Sequence, residues 1–175
     1  MKRAFYSAVI LFAVILIISS CNKDNTPACP AHYTGANCSQ QVTPTQVQLS
    51  RITITSFPAT NNGSAWNITE GTGYADIYPT ISDSAGNVLF NGSANYIADA
   101  SSTTSYYFNF SIPIPLTPYS TYTFTLYNHN NVSADNNMGA VSTVLYTSTN
   151  GFPSILNISN GAGLSFALSI QNVWQ

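Results

Sequence analysis

Along most of this chain apolar and polar side chains alternate one for one. The clearest run sets Tyr106, Phe108, Phe110, Ile112 and Ile114 against mainly polar neighbours. A second sets Tyr122, Phe124 and Leu126 against threonines, and a third carries Leu164, Phe166, Leu168 and Ile170 towards Trp174. A two-residue period sends successive side chains to opposite faces of a strand, so each run predicts a strand with one buried and one wetted face. Shorter runs at 47–57, 75–82, 87–91, 140–146 and 154–158 predict further strands. In the first of these the apolar phase changes between Leu49 and Ile52, which predicts a β-bulge. Turn sequences separate the runs: Asn61-Asn62-Gly63, Asp83-Ser84-Ala85-Gly86-Asn87, Asn130-Asn131 and Asn160-Gly161. About eight half-buried antiparallel strands predict an all-β fold, a two-sheet sandwich ahead of a closed barrel. A membrane-spanning barrel is disfavoured, because the outward positions are Ser, Thr and Asn rather than lipid-compatible residues.

Upstream of residue 46 the pattern changes. Met1, Lys2 and Arg3 precede an apolar run over 4–18, followed by Ser19, Ser20 and Cys21. Charges, an apolar core and small residues in that order are the layout of a signal peptide, and the run is shorter than the roughly 20 residues that span a bilayer. Ile18-Ser19-Ser20-Cys21 resembles the lipobox of bacterial lipoproteins. That resemblance implies cleavage before Cys21 and lipidation of its thiol, with acyl chains such as palmitate holding the protein on a membrane. The chain then divides into a signal peptide over 1–20, a lipidated tether over 21–45 and a folded domain over 46–175. With Cys21 used by lipid, Cys29 and Cys38 remain as a pair in an oxidising compartment, and a disulfide is the simplest outcome. The loop from Cys29 to Cys38 resembles the last disulfide loop of an EGF-like module, with His32 where that family usually has glycine and the other EGF cysteines missing.

Charge narrows the partners. Beyond the signal peptide only Lys23 and Arg51 remain of the 4 Lys and Arg, against 6 Asp and Glu, a net charge of −4. Binding to a phosphate backbone, or to anionic lipid headgroups, needs clustered cations, so nucleic acid is excluded and electrostatic membrane binding is disfavoured. The abundance of aromatic residues, with Tyr 11 and Phe 9, suits exposed sheets instead.

Two loops stand out as candidate chemistry. One runs from Asn61-Asn62-Gly63 through Trp66 and Asn67 to Asp76-Ile77-Tyr78; the other runs from Tyr127-Asn128-His129-Asn130 to Asp135-Asn136-Asn137-Met138-Gly139. The second loop is similar to the third calcium loop of C2 domains, and Asp76-Ile77-Tyr78 is similar to that family's Asp-Pro-Tyr. The resemblance covers about residues 47–174 and implies an eight-stranded sandwich with its loops gathered at one end. It carries the family's calcium ligands onto Asn61 or Asn62, Asp76, Asn128, Asn130 and Asn136, with Asp135 adjacent. Calcium wants six to eight oxygens, several of them charged, and here asparagine replaces all but one of the aspartates. The resulting expectation is no cofactor, or calcium held only weakly, with the asparagines serving chiefly as turn formers.

Catalytic arrangements find little support. His32 and His129 are the only histidines, no nucleophile-elbow sequence accompanies His129, and Asp76, Asp135 and Glu70 make a carboxylate pair conceivable only because acids are scarce. Asn-x-Ser/Thr triplets at Asn67, Asn91, Asn109, Asn131 and Asn157 are expected by chance in so Asn-rich a chain. Asp83-Ser84-Ala85 resembles a site at which some Bacteroidetes glycosylate exported proteins, and a hairpin turn explains it equally. The expectation is therefore a Bacteroidetes-type surface lipoprotein of the outer membrane. It is non-enzymatic and binds a glycan or other cell-surface polymer through Trp66, Asn67 and His129, with Tyr74 and Tyr78 nearby. A structural subunit resembling lipidated fimbrial proteins, and a hydrolase with an unrecognised site, are the alternatives.

Overall fold

The alternating runs form two antiparallel sheets in a computed structural model of the chain, which describes residues 28–67, 71 and 73–174. The expected signal peptide, Cys21 and Glu70 lie outside the described residues. The fold occupies the unit His32–Gln175. Its strands are β1 (Tyr33–Thr34), β2 (Gln40–Gln41), β3 (Gln46–Ser56), β4 (Ala75–Asp83), β5 (Val88–Asn91), β6 (Ile97–Ala100), β7 (Tyr106–Leu116), β8 (Thr121–Asn128), β9 (Asn136–Val144), β10 (Ile155–Ser159) and β11 (Ser165–Val173). One sheet has the order β10-β11-β3-β7; the other has the order β5-β4-β8-β9, with β6 also paired to β4. A small hairpin, β1-β2, stands apart from both.

The sandwich closes because the apolar half of each strand has nowhere else to go. Val47, Leu49, Ile52 and Ile54 of β3 and Phe166, Leu168 and Ile170 of β11 share one core with Ile77 and Ile81 of β4 and Tyr122, Phe124 and Leu126 of β8. Phe124 and Phe166 meet across the sheets with ring centroids 6.2 Å apart. Each such side chain contributes about 1.5–3 kcal/mol by leaving water. The phase change in β3 is the expected bulge. Ser169 pairs with Arg51 and Ile170 with Leu49, leaving Ser50 as the extra residue, and its hydroxyl donates to the Ser169 carbonyl at 3.2 Å.

Two features depart from the pattern. β6, sequence Ile-Ala-Asp-Ala, has too few apolar positions to register as a strand and is held by its pairing with β4. Ile112, whose alternation pointed it inwards, is 83% exposed. β7 is an edge strand, and between the pairs Arg51–Asn109 and Leu49–Ile114 it spends residues 110–113 opposite Ser50 alone, so the chain arches away and carries Ile112 out. Pro113 and Pro115 follow on this strand, where a missing N–H is tolerated at a sheet edge.

Strand directions sort the connections to two ends. Segments 57–67, 101–105, 129–135 and 160–164 lie at the apical end; 84–87, 117–120 and 145–154 lie at the basal end, where β3 begins. With 11 residues in β3, the two ends are about 35 Å apart. The stretch expected as a tether is, from His32 onwards, held on the basal end. His32 stacks on Trp174 at 3.5 Å, Tyr33 meets Phe152 edge-on at 5.5 Å, and Phe152 touches Trp174 at 5.2 Å and Tyr146 at 5.8 Å. Trp174 Nε1 donates to the Val42 carbonyl at 3.1 Å, and Thr45 N to the Val173 carbonyl at 2.8 Å. Cys29 and Cys38 are joined as a disulfide, as expected.

Candidate functional site

The apical end gathers most of the polar residues that the sequence singled out. β8 ends at Asn128 and β4 begins beside it, with Ile77 paired to Asn128, so the loops entering β4 and leaving β8 are forced together. Asn128 is fully buried and is the hub. Its Oδ1 accepts the Asp76 amide at 2.8 Å, and its Nδ2 donates to Asn67 Oδ1 at 2.7 Å and to Asn130 Oδ1 at 3.3 Å. Asn130 Nδ2 donates in turn to the Ala134 carbonyl at 3.0 Å. The buried Asp76 accepts the Asp99 amide on Oδ1 at 2.8 Å, where Asp99 sits at φ 52.

This donor set does not fit a cation. The side-chain oxygens of Asn67, Asn128 and Asn130 all point at N–H groups of the chain, and an amide nitrogen lies where these oxygens converge. The polar atom left over in the network, Asn67 Nδ2, has no partner among the described residues and is a donor, which repels a metal ion. Asn136 opens β9 opposite Asn128 and is half-buried. No group of three or more His, Cys, Asp or Glu among the described residues is arranged to hold a metal. Asn61 and Asn62 share no hydrogen bond with this network among the described residues. They form a two-residue turn closed by reciprocal Asn61–Ser64 backbone bonds at 2.8 and 3.0 Å, with Asn62 at φ 51 and Gly63 at φ 88. Asn-Gly suits such a turn because both central residues need positive φ.

Beside the amides lies a second cluster, which sequence reasoning saw only in part. Asp135 accepts from Tyr78 Oη on Oδ2 at 2.6 Å and from the Asn130 amide on Oδ1 at 2.9 Å, and it faces His129 Nδ1 at 3.1 Å. Burial pushes the Asp135 carboxyl up, but the bonds from Tyr78, Asn130 and His129 outweigh it and hold the group below the usual carboxylate range. Burial, and then the bond to Asp135 and its charge, push the Tyr78 hydroxyl well above its ordinary value. With Asp135 ionised, a proton on the facing Nδ1 makes this contact a hydrogen bond that fixes the ring's orientation. The His129 ring lies 4.4 Å from that of Tyr96, a contact no local sequence signal announced.

Burial revises three of the expected contact residues. Trp66 is 9% and Asn67 1% exposed, and Trp66 Nε1 donates to the Pro58 carbonyl at 2.8 Å, so both fasten the loop and present nothing to solvent. Tyr78 is likewise buried. His129 keeps a quarter of its side chain exposed, and Tyr96 and Tyr74 stand out at 36% and 55%. The expected aromatic residues that remain exposed at this end are thus Tyr74 and the imidazole of His129, which is joined by Tyr96. His129 and Asp135 resemble the base and orienter of a hydrolytic triad, but among the described residues no hydroxyl or thiol is hydrogen-bonded to His129.

No protein-family model matches the chain, and neither does any curated protein sequence. Among solved structures it is similar to human GIVD cytosolic phospholipase A2. One such structure, in complex with methyl gamma-linolenyl fluorophosphonate inhibitor and terbium chloride, has a TM-score of 0.46 at 14% identity over 75% of this chain and 18% of that one. Another, of the same human protein alone, has 0.45 at 15% identity over 75% of this chain and 17% of that one. The chain thus spans less than a fifth of the length of these proteins.

Proposed function

We propose that this protein is a lipid-anchored, non-enzymatic binding module of the bacterial cell envelope. In this reading it is a C2-like sandwich whose apical end binds a neutral polymer without calcium. The observation that carries the proposal is the apical amide network. Asn128 and its partners tie Asn67 to loop 129–135 and to the start of β4, and Tyr74, Tyr96 and part of His129 are exposed at the same end. Rigid aromatic rings offer flat area at low entropic cost, and an imidazole nitrogen bonds a sugar hydroxyl. The chain enters the sandwich at the basal end, so a membrane anchor at Cys21 sets the apical loops on the far side of the domain.

Two measurements test the proposal. A glycan array probed with the protein is expected to give binding to uncharged glycans that is lost in the Tyr74→Ala, Tyr96→Ala, His129→Ala triple variant while its strand-rich circular dichroism spectrum is unchanged; retention of the signal by that variant sinks the apical reading. Cells fed labelled palmitate are expected to label the protein and not its Cys21→Ser variant. Equal labelling of both would refute the anchor.

A further inference from the structure

Charge is divided between the two sheets. Asp76, Asp83, Asp99 and Asp135, the acids among the described residues, all belong to β4, β6 or the loop before β9, whereas β3, β7, β10 and β11 contain none. Arg51, the one Lys or Arg among the described residues, stands on the acid-free sheet. It is exposed and has neither an ion pair nor a hydrogen bond among the described residues. Its placement is built by the bulge. Strict alternation after Leu49 would turn residue 51 inwards and 52 outwards. The extra residue Ser50 reverses this, so Ser50 and Arg51 both face out while Ile52 is fully buried.

The neighbours supplied by strand pairing are polar and flat. Ser169 of β11 and Asn109 of β7 lie directly opposite Arg51, and Tyr107, 62% exposed, pairs with Thr53 in the next row on the same face. Ser50, Arg51, Asn109, Phe110 and Ser169 line a shallow hollow of about 350 Å³. That volume is within the roughly 300–1,000 Å³ typical of small-ligand sites. A guanidinium presents a planar fork to a carboxylate, amide and hydroxyl groups bond sugar hydroxyls, and a tyrosine ring stacks on a sugar face. The single cation suits the one carboxylate of a sugar unit whose remaining contacts are hydroxyl bonds and ring stacking.

From this juxtaposition we propose that the outer face of the four-stranded sheet, centred on Arg51, binds a carboxylate-bearing sugar of an acidic polysaccharide. The site is independent of the apical end and does not rest on the reading given for it. Affinity electrophoresis of the purified protein in gels containing polygalacturonate tests it, with dextran and polyglutamate gels in parallel. Retardation is expected in polygalacturonate alone. It should weaken tenfold or more in Arg51→Gln and less in Arg51→Lys, which keeps the charge but loses the fork; it should weaken in Tyr107→Ala and persist in the apical triple variant. Melting curves should coincide for the wild type, Arg51→Gln, Arg51→Lys and Tyr107→Ala, since exposed substitutions move stability little. No retardation of the wild-type protein, equal retardation of Arg51→Gln, or equal retardation by polyglutamate overturns the proposal.

Discussion

Replacing Asn128 with leucine will cost about 3 kcal/mol of folding stability and lower the melting temperature by about 10 °C. The side chain is fully buried and makes three hydrogen bonds, to Asp76 N, Asn67 Oδ1 and Asn130 Oδ1. A leucine of similar volume fills the space but leaves one donor and two acceptors buried without partners, and each such orphan costs about 1–3 kcal/mol. Relaxation of the loops recovers part of that sum. Thermal unfolding gives the total, and hydrogen exchange should place the loss of protection in segments 57–67 and 129–135 before the strands. A variant within a degree of wild type would mean that the network is incidental to the apical architecture.

The second large effect is at the opposite end. Phe152→Ala is expected to destabilise the protein by about 2 kcal/mol, less than the 3–5 kcal/mol of a fully buried phenylalanine because the ring is half-buried. It is the hub of the basal cluster, in contact with His32, Tyr33, Tyr146 and Trp174. Without it the segment loses the ring contacts of His32 and Tyr33 with Phe152 and is held by its own pairing, the disulfide, the His32–Trp174 stack and the Trp174–Val42 and Thr45–Val173 bonds. Limited proteolysis should then cut within 28–45 at protease levels that leave the wild type intact. Unchanged cleavage would show that the disulfide and backbone bonds alone fasten this segment.

How far the sequence announced this molecule depends on the range of the interaction. β8 and β11 were legible because their burial is set by a local period: Tyr122, Phe124 and Leu126 in one, and Phe166, Leu168 and Ile170 in the other, are all buried. The bulge in β3 was legible for the same reason. Ile112 misled because its exposure comes from an unequal pairing with β3, which a period within β7 cannot report. At the apical end the resemblance to C2 calcium loops grouped Asp76, Asn128, Asn130 and Asn136 with Asn61 or Asn62, and of these Asp76, Asn128 and Asn130 share one hydrogen-bond network. It did not reveal that Asn67 and Trp66 turn inwards, because burial of a loop residue is decided by a partner 61 positions away in the case of Asn67 and Asn128. The basal clamp was invisible on the same principle, its His32–Trp174 stack joining the two extremes of the folded unit. Arg51 was counted as a residual charge; only the bulge and the acid-free strands around it turn the count into a location.

At the apical end an amide nitrogen, Asn128 Nδ2, holds together the Asn67 and Asn130 oxygens that a calcium ion would otherwise have to gather. The direct measurement is the melting temperature of the purified protein in millimolar calcium and in excess chelator. The two curves are expected to superimpose, because no free energy of ion binding is available to the folded state. A ligand present at a hundred times its dissociation constant would add about 2.7 kcal/mol, and a calcium-dependent rise of several degrees would contradict the account.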